Sequence, residues 1–269
     1  MFCVMQGGLM ATRQFKVIRP RSARTDLHRA IVFDADDTLW STEWLYDQAL
    51  EECQKLVEST GLNGRTWKRR YLEHDKRNVA AFGFRKERFA TSVVSAYVEM
   101  AEESGHGINA SILTQLQRSA SMVFKRKAPL LPGVVETLRS LRDGYQLVLM
   151  TKGDPAVQMK RIQDAGFLQE FDAIVIVDEK DTSTYRRMCR ILGIKPRESW
   201  CVGNNIASDI APALPLGMQG VWIDAHVWEY ERNRQHVIPE RITRLRSLRQ
   251  LLPVISQNAQ HSPHHNEIS

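Results

Sequence analysis

The sequence AIVFDADDTLW, residues 30–40, joins four apolar residues directly to a cluster of three acids. An apolar run rich in β-branched residues is typical of a short strand that is buried on both faces of a parallel sheet. Asp34, Asp36 and Asp37 then stand where this strand ends, and carboxylates so close together repel one another unless a cation balances them. Because open α/β sheets bind ligands at the carboxyl ends of their strands, the stretch predicts a functional site rather than an ordinary acidic loop.

Length and composition exclude several classes of protein. The chain has 269 residues, of which 43% are hydrophobic and 25% charged, enough for one α/β domain and a second small one. Four cysteines, at positions 3, 53, 189 and 201, lack metal-ligand spacing and predict reduced thiols and a cytoplasmic location. Since no apolar run has the length of a membrane span and the N-terminus lacks the features of a secretory signal, we expect neither membrane insertion nor secretion.

The net charge of +6 is concentrated near the N-terminus. Residues 1–29 contain six basic residues and the single acid Asp26, which gives +5 and leaves +1 for the other 240 residues. A nearly neutral body argues against a nucleic-acid partner. We predict that residues 1–29 form a basic, mostly disordered leader and that the chain straightens into a strand at Ala30.

The remaining chain divides into a helical part and an alternating part. Residues 41–128 contain four helical patterns, at 43–59, 67–82, 86–103 and 110–124, with glycine-containing breaks between them. From Pro129 onwards strands at 146–150, 173–177, 200–202 and 220–223 alternate with helices, which predicts a parallel sheet with right-handed crossovers. A short helix is predicted at 209–216 and a terminal helix from Ile242 to Leu252. The predicted domains are a core of residues 30–40 and 129–253, an inserted all-helical domain of residues 41–128, and a flexible tail of residues 254–269.

Polar side chains follow four of the predicted strands. They are the motif Asp34-x-Asp36-x-Thr38, then Thr151, then Lys180, and last Gly203-Asn204 with Asp209. This ordered set resembles the haloacid dehalogenase superfamily over about residues 30–224, in the subclass with a helical cap between the first two motifs. The resemblance implies an α/β fold with a Rossmann-like core and a mobile helical lid. It also implies phosphatase activity, which most members have.

The residues of these motifs suit phosphoryl transfer. Asp34 is the candidate nucleophile that would become an aspartyl-phosphate, and Asp36 would protonate the leaving oxygen and then activate water. Thr151 and the amide of Lys152 would bind a phosphoryl oxygen, and Lys180 would balance negative charge. Two simpler interpretations remain: Thr151 could cap the next helix, and Lys180 could belong to a solvated turn.

Magnesium is the expected cofactor, since it prefers oxygen ligands in octahedral geometry. Asp34, the main-chain carbonyl of Asp36, Asn204 and Asp209 would bind it, Asp209 either directly or through a water. The family typically has an acid where this chain has Asn204, and a neutral amide predicts weaker metal binding.

The sequence leaves two other functions open. A 2-haloacid dehalogenase of the same family also uses an asparagine near this place and needs no metal, but it lacks a carboxylate at the position of Asp36. A phosphate-binding regulatory protein without turnover is the other alternative. The expected partner is a small phosphorylated metabolite.

Several further residues have two interpretations. Arg85, Lys86 and Arg88 could meet an anionic substrate, although a solvated helix face is the simpler interpretation. Trp44 and Tyr46 could line the entrance or belong to the core of the cap. Asp37 is expected to face solvent or to cap a helix.

Overall fold

A computed structural model describes residues 14–20, 23–83, 85–105, 107–224 and 242–260. Within these ranges the centre of the fold is a seven-stranded sheet with the order β1-β4-β3-β2-β5-β6-β7. Its strands are β1 (Phe15–Ile18), β2 (Ala30–Phe33), β3 (Gln146–Lys152), β4 (Ala173–Val177), β5 (Trp200–Gly203), β6 (Gln219–Ile223) and β7 (Ile242–Leu245). All pairings from β4 across to β7 are parallel, whereas β1 pairs with β4 in the antiparallel direction. The predicted α/β class with a parallel sheet is confirmed.

The central strands are buried on both faces because successive side chains point to opposite sides. Ile31 and Phe33 of β2 belong to one hydrophobic core, and Ala30 and Val32 belong to the other. The first core also contains side chains of α5 (Val134–Leu141), α6 (Pro155–Ala165) and α8 (Leu251–Gln260), and the second contains those of α7 (Thr182–Leu192). This burial explains why the strands appear in the sequence as continuous apolar runs.

Four helices lie between β2 and α5, as predicted. They are α1 (Glu43–Glu58), α2 (Gly64–Phe82), α3 (Lys86–Glu103) and α4 (Ala110–Met122). The two connections to the sheet run side by side: Ser41 N donates to Pro129 O at 2.9 Å and Leu131 N donates to Leu39 O at 2.9 Å. The boundaries of the two domains, at residues 41 and 128, stay predictions. No helix in the described ranges is both long enough and apolar enough to cross a membrane.

The predicted disordered leader is wrong for residues 15–18. These residues form β1 on the edge of β4, where the backbone groups of β4 would otherwise lack partners. Arg24 then donates two hydrogen bonds to Asp172 and further ones to the carbonyls of Arg142 and Tyr145. Asp172 is only 3% exposed and therefore needs a cationic partner. Residues 1–13 lie outside the described residues.

The secondary structure predicted for the C-terminal part of the chain also needs correction. Residues 242–245 are the parallel strand β7 on the edge of β6 and not the start of a helix. Helix α8 extends into the predicted flexible tail, where Ile255 is 3% exposed and anchors it to the core. The helix expected at 209–216 is a π-helical turn at Ile206–Ile210 and a 3-10 turn at Leu214–Leu216. Residues 225–241 and 261–269 lie outside the described residues.

Candidate active site

A cleft lies at the carboxyl ends of the central strands, with about 790 Å³ of empty space when its open mouth is included. All seven predicted site residues line it: Asp34, Asp36, Thr151, Lys152, Lys180, Asn204 and Asp209. The helical insert contributes Tyr46, Arg88 and Phe124 to the same cleft. The cleft is therefore enclosed by both parts of the molecule.

Asp34 follows β2 and is held from both sides. Lys180 Nζ forms an ion pair with Asp34 Oδ1, and Thr38 Oγ1 donates to Asp34 Oδ2 at 2.8 Å. Burial, together with the neighbouring Asp209, raises the pKa of Asp34 to about 7, although Lys180 acts in the opposite direction. Lys180 also donates to Asp209 Oδ1 at 2.8 Å. Burial alone would lower the pKa of Lys180, but the two carboxylates raise it above its usual range.

The solvated-turn interpretation of Lys180 is wrong, because its side chain is 1% exposed and contacts two carboxylates. The helix-cap interpretation of Thr151 is wrong as well. Asp154 caps α6 by accepting from Ala156 N at 2.8 Å and Val157 N at 3.2 Å. Thr151 is 1% exposed and pairs with Ile176 near the end of β3, where Lys152 is the last residue.

The loop after β5 wraps around the Asp209 carboxylate. In addition to Lys180, the backbone N–H of Asn205 donates to Asp209 Oδ2 at 2.9 Å, and Ser208 Oγ donates to Oδ1 at 3.1 Å. A Cβ at Gly203 would lie 2.4 Å from Oδ2 of Asp209, so only glycine allows this close approach. Asp209 is thus anchored in its loop by several donors.

Oxygen atoms suitable for a magnesium ion converge beside Thr38. Thr38 Oγ1 lies 2.8 Å from Asp34 Oδ2 and 3.3 Å from Asn204 Oδ1, so both oxygens contact the same hydroxyl group. Across the described ranges there is no group of three or more His, Cys, Asp or Glu that could hold a metal ion. Magnesium, however, commonly takes one or two carboxylates and completes its shell with other oxygens, water and substrate phosphate. The chemistry of the donor set therefore fits magnesium, with the side-chain oxygens of Asp34 and Asn204 both beside Thr38.

Asp36 has a different set of partners from Asp34. Its carboxylate accepts from Trp40 Nε1 at 2.7 Å, Gln158 Nε2 at 3.0 Å and Arg161 Nη1 at 2.7 Å. These three donors, one of them a guanidinium, hold the Asp36 carboxylate in its orientation. The sequence analysis missed Gln158 and Arg161. Their spacing of three residues on α6, which puts two long polar side chains on one helix face, was the available signal.

Asp37 caps a helix, which was one of its two predicted roles. It has a φ of 61° and is 5% exposed. Its carboxylate accepts from Thr42 N at 2.8 Å and from Glu43 N at 3.0 Å, at the start of α1. Asp37 therefore orients the first inserted helix and does not face solvent.

The three basic residues of the insert differ in burial. Arg85 and Lys86 are exposed, as a solvated helix face requires, but Arg88 is only 5% exposed and lines the cleft. For Arg88 the solvated-face interpretation is therefore wrong. Trp44 is 48% exposed, whereas Tyr46 is buried and lines the cleft.

Comparison with known proteins agrees with this geometry. The N-acylneuraminate-9-phosphatase of Mus musculus is 28% identical over 73% of this chain and 82% of its own length. The phosphoserine phosphatase of Thermus thermophilus is 29% identical over 37% of this chain and 43% of its own length. A haloacid dehalogenase-like family hydrolase from Xanthomonas campestris shares the fold, with a TM-score of 0.70, 22% identity, and coverage of 89% of this chain and 97% of that one. The sequence model of the haloacid dehalogenase-like hydrolases matches residues 28–217, and the chain belongs to this family.

Proposed function

We propose that the protein is a magnesium-dependent phosphomonoester hydrolase that acts on a small phosphorylated metabolite through an aspartyl-phosphate at Asp34. The coarser statement, a phosphatase-type hydrolase, follows from the family and from relatives that are phosphatases. The observation that carries the finer proposal is the pairing of Asp34 with the buried Lys180 at the end of β2. A carboxylate needs an adjacent cation if it is to attack a phosphoryl group that is itself negative.

In the first step an oxygen of Asp34 attacks phosphorus, and the bond from phosphorus to the ester oxygen breaks. Asp36 gives its proton to the departing oxygen, so that an alcohol leaves. In the second step a water attacks the same phosphorus and gives its proton to Asp36, which frees Asp34 and phosphate. Two of the three hydrogen bonds that Asp36 accepts fall on Oδ2 and one on Oδ1, so Oδ1 keeps a lone pair that can carry the transferred proton.

Other residues of the cleft bind and orient. Thr151 and the amide of Lys152 bind a phosphoryl oxygen, and Lys180 balances the charge that develops during transfer. Asp34, the main-chain carbonyl of Asp36 and Asn204 would hold magnesium. Asp209, whose carboxylate is occupied by Lys180 and by its own loop, would act through a water ligand. When bound, the ion neutralises phosphate charge and fixes the angle of attack.

The cleft favours a metabolite over a macromolecule. It is a concave site, and three of the basic residues that line it, Arg88, Arg161 and Lys180, are buried side chains and do not form an exposed basic surface. The described cysteines, Cys53, Cys189 and Cys201, are free and buried, which supports the proposed cytoplasmic location.

The test is a screen of phosphorylated metabolites and of p-nitrophenyl phosphate with and without Mg²⁺, with phosphate release as the signal. A parallel assay measures halide release from 2-chloropropionate, and Asp34→Asn is the inactive control. We expect phosphate release that needs Mg²⁺ and Asp34, and no halide release. Metal-independent halide release would favour the dehalogenase alternative, and the absence of both products would favour the binding protein.

A further inference from the structure

The cleft contains a second group of buried charges that phosphoryl transfer does not use. Arg88 of α3 and Arg161 of α6 are 5% and 7% exposed, and both line the cleft. Guanidinium groups stay protonated in proteins, so both side chains carry their charge into the site. They come from the insert and the core respectively, and the substrate must therefore contact both parts of the molecule to meet both of them.

Arg161 lies on the leaving-group side of the reaction. It is bound to Asp36, the residue that would protonate the leaving oxygen, through Nη1 at 2.7 Å. Whatever is esterified to the phosphate must therefore pass close to this guanidinium. Tyr46 lines the same cleft as the two arginines, and both oppose the rise that burial causes in the pKa of its hydroxyl.

One edge of the Arg161 guanidinium has no carboxylate partner. Nε and Nη2 are buried and donate no hydrogen bond to the described parts of the chain. These two nitrogens form one side of the planar guanidinium, which a carboxylate can bind through two parallel hydrogen bonds. A buried charged donor without an acceptor is unfavourable, and a substrate carboxylate would supply the missing oxygens.

Arg88 is positioned by a buried network within the insert. Its Nη1 forms an ion pair with Asp75, and Ser92 Oγ donates to Asp75 Oδ1 at 3.0 Å. Asn78 Nδ2 in turn donates to Ser92 Oγ at 3.0 Å. Such a network fixes a side chain in one geometry, as a binding group requires.

We propose that the natural substrate carries a carboxylate on its leaving group, and that Arg161 and Arg88 bind this carboxylate while Lys180 and Thr151 bind the phosphate. This inference rests on the proposed phosphatase function and specifies its substrate class. A single negative charge suits this place better than a second phosphate, because the carboxylates of Asp36 and Asp75 already lie beside the two arginines.

The experiment measures how well matched compounds compete with p-nitrophenyl phosphate hydrolysis in the presence of Mg²⁺. O-phosphoserine is compared with O-phosphoethanolamine, and 2-phosphoglycolate with 2-hydroxyethyl phosphate, so that the members of each pair differ in the carboxylate. Competition counts whether or not the compound is itself hydrolysed. We expect the carboxylated member of each pair to bind at least tenfold more tightly.

The arginine variants test the assignment. The tenfold preference should fall to about one in Arg161→Met. It should also fall to about one in the double variant Arg88→Met, Asp75→Asn, in which the second substitution prevents a buried carboxylate from losing its partner. Arg161→Lys keeps the charge but cannot form the bidentate pair of hydrogen bonds, so it should keep part of the preference. The control is Arg85→Met, which removes an exposed charge from the same end of α3 and should leave the preference intact. Thermal unfolding confirms that each variant is folded.

The outcomes separate the two proposals. Equal competition within each pair in an active wild-type enzyme overturns the carboxylate site and leaves the phosphatase function standing. The same holds if a bisphosphate of equal length competes better than the carboxylated compound, because the second group would then be a phosphate. If the wild-type protein hydrolyses no phosphomonoester with Mg²⁺, the phosphatase function fails and the carboxylate site fails with it.

Discussion

Asp34 is crowded by other carboxylates, and this arrangement has a cost in stability. Burial and the charge of Asp209 raise its pKa to about 7, so its ionised form is disfavoured in the folded protein. Lys180 and Thr38 oppose this by binding one oxygen each. Functional sites often keep such unfavourable charges because the chemistry needs them, and neutral substitutions there can stabilise the fold.

The substitution Asp34→Asn should therefore separate activity from stability. We expect phosphate release to fall below detection, because an amide is a poor nucleophile. The unfolding temperature should stay the same or rise, since the repulsion by Asp209 is removed while the amide oxygen can still accept from Lys180. Activity assays and thermal unfolding of both proteins measure this. Clear residual turnover in a pure preparation would remove Asp34 from the mechanism.

The loss of activity in Asp36→Asn should depend on the leaving group of the substrate. The phenolate of p-nitrophenyl phosphate can depart without a proton, whereas the alkoxide of an alkyl phosphate needs one. General acids typically contribute about 10²–10⁴-fold to the rate. We expect kcat for an alkyl phosphate to fall by about 10²-fold or more, and kcat for p-nitrophenyl phosphate to fall much less. Trp40→Phe is a useful control, because it removes one donor to Asp36 but keeps the carboxylate. Equal losses for both substrates would contradict the assignment.

At the scale of elements, the sequence predicted the central strands well and the edge strands poorly. Strands β2 to β6 are apolar runs buried on both faces, and this burial requires a pattern that the sequence displays. Strand β1 is a half-buried run of four residues, and it exists because β4 offers a free edge. A neighbour so distant in the chain leaves no local pattern. The same applies to β7 beside β6.

Strand β1 changes the expectation for truncation. The sequence predicts that removal of residues 1–23 has almost no effect, whereas the structure predicts a loss of stability. Phe15 and Val17 pack against the second hydrophobic core, and Arg187 lies 4.2 Å from the ring centre of Phe15. Deleting residues 1–18 should cost about 2–3 kcal/mol of unfolding free energy. Denaturant unfolding measures this, with deletion of residues 1–12 as the control. Equal stability of both truncated proteins would show that β1 contributes little.

The ion pair between Arg24 and Asp172 allows a pH-dependent test of how the N-terminal region contributes to stability. Burial alone would raise the pKa of Asp172, but hydrogen bonds from the side chain and backbone of Arg24 and from Leu147 N hold it below its usual value of 3.8. A lowered pKa contributes stability above that value, and the contribution is lost as the pH falls through the folded-state pKa. Arg24→Met should therefore cost about 2–3 kcal/mol at neutral pH.

This cost of Arg24→Met should shrink below pH 4, as Asp172 becomes protonated in both proteins. The measurement is urea unfolding between pH 3 and pH 7. Arg19→Met is the matched control, because Arg19 is exposed and its side chain donates to a backbone carbonyl, that of Ile191. A cost that does not change with pH would show that Arg24 acts through packing and not through its charge.

At the scale of the whole molecule, the site is built where the insert meets the sheet. Trp40 connects the two: its backbone bridges to Leu130 in the paired connections, and its indole N–H donates to Asp36. Residues at strand ends were predictable, because parallel strands bring their carboxyl ends together. Arg88 and Arg161 were not predictable as a pair, because their meeting depends on how the insert packs on the sheet, and no sequence motif encodes that packing.

Metal binding should be visible in the stability of the whole protein. A ligand that binds only the folded state stabilises it by RT ln(1 + [L]/Kd), so Mg²⁺ should raise the unfolding temperature in a concentration-dependent way. Asn204→Asp adds a charged oxygen beside Asp34 and should bind Mg²⁺ about tenfold more tightly, which is worth about 1.4 kcal/mol at saturation. For a chain of this size the difference is roughly 3–6 °C. The half-maximal Mg²⁺ concentration for phosphatase activity should fall in parallel.

The neighbouring residue provides the control for this titration. Asn205 caps the turn after β5 by accepting from Ala207 N at 2.9 Å and Ser208 N at 3.2 Å, and aspartate is an equally good cap. Asn205→Asp thus adds the same charge one residue away without replacing the side-chain oxygen of Asn204. We expect it to change the Mg²⁺ response much less than Asn204→Asp. If the two variants respond alike, Asn204 acts through long-range charge and not as a ligand. If Asn204→Asp and the wild-type protein give superimposable titrations, Asn204 does not contact the metal.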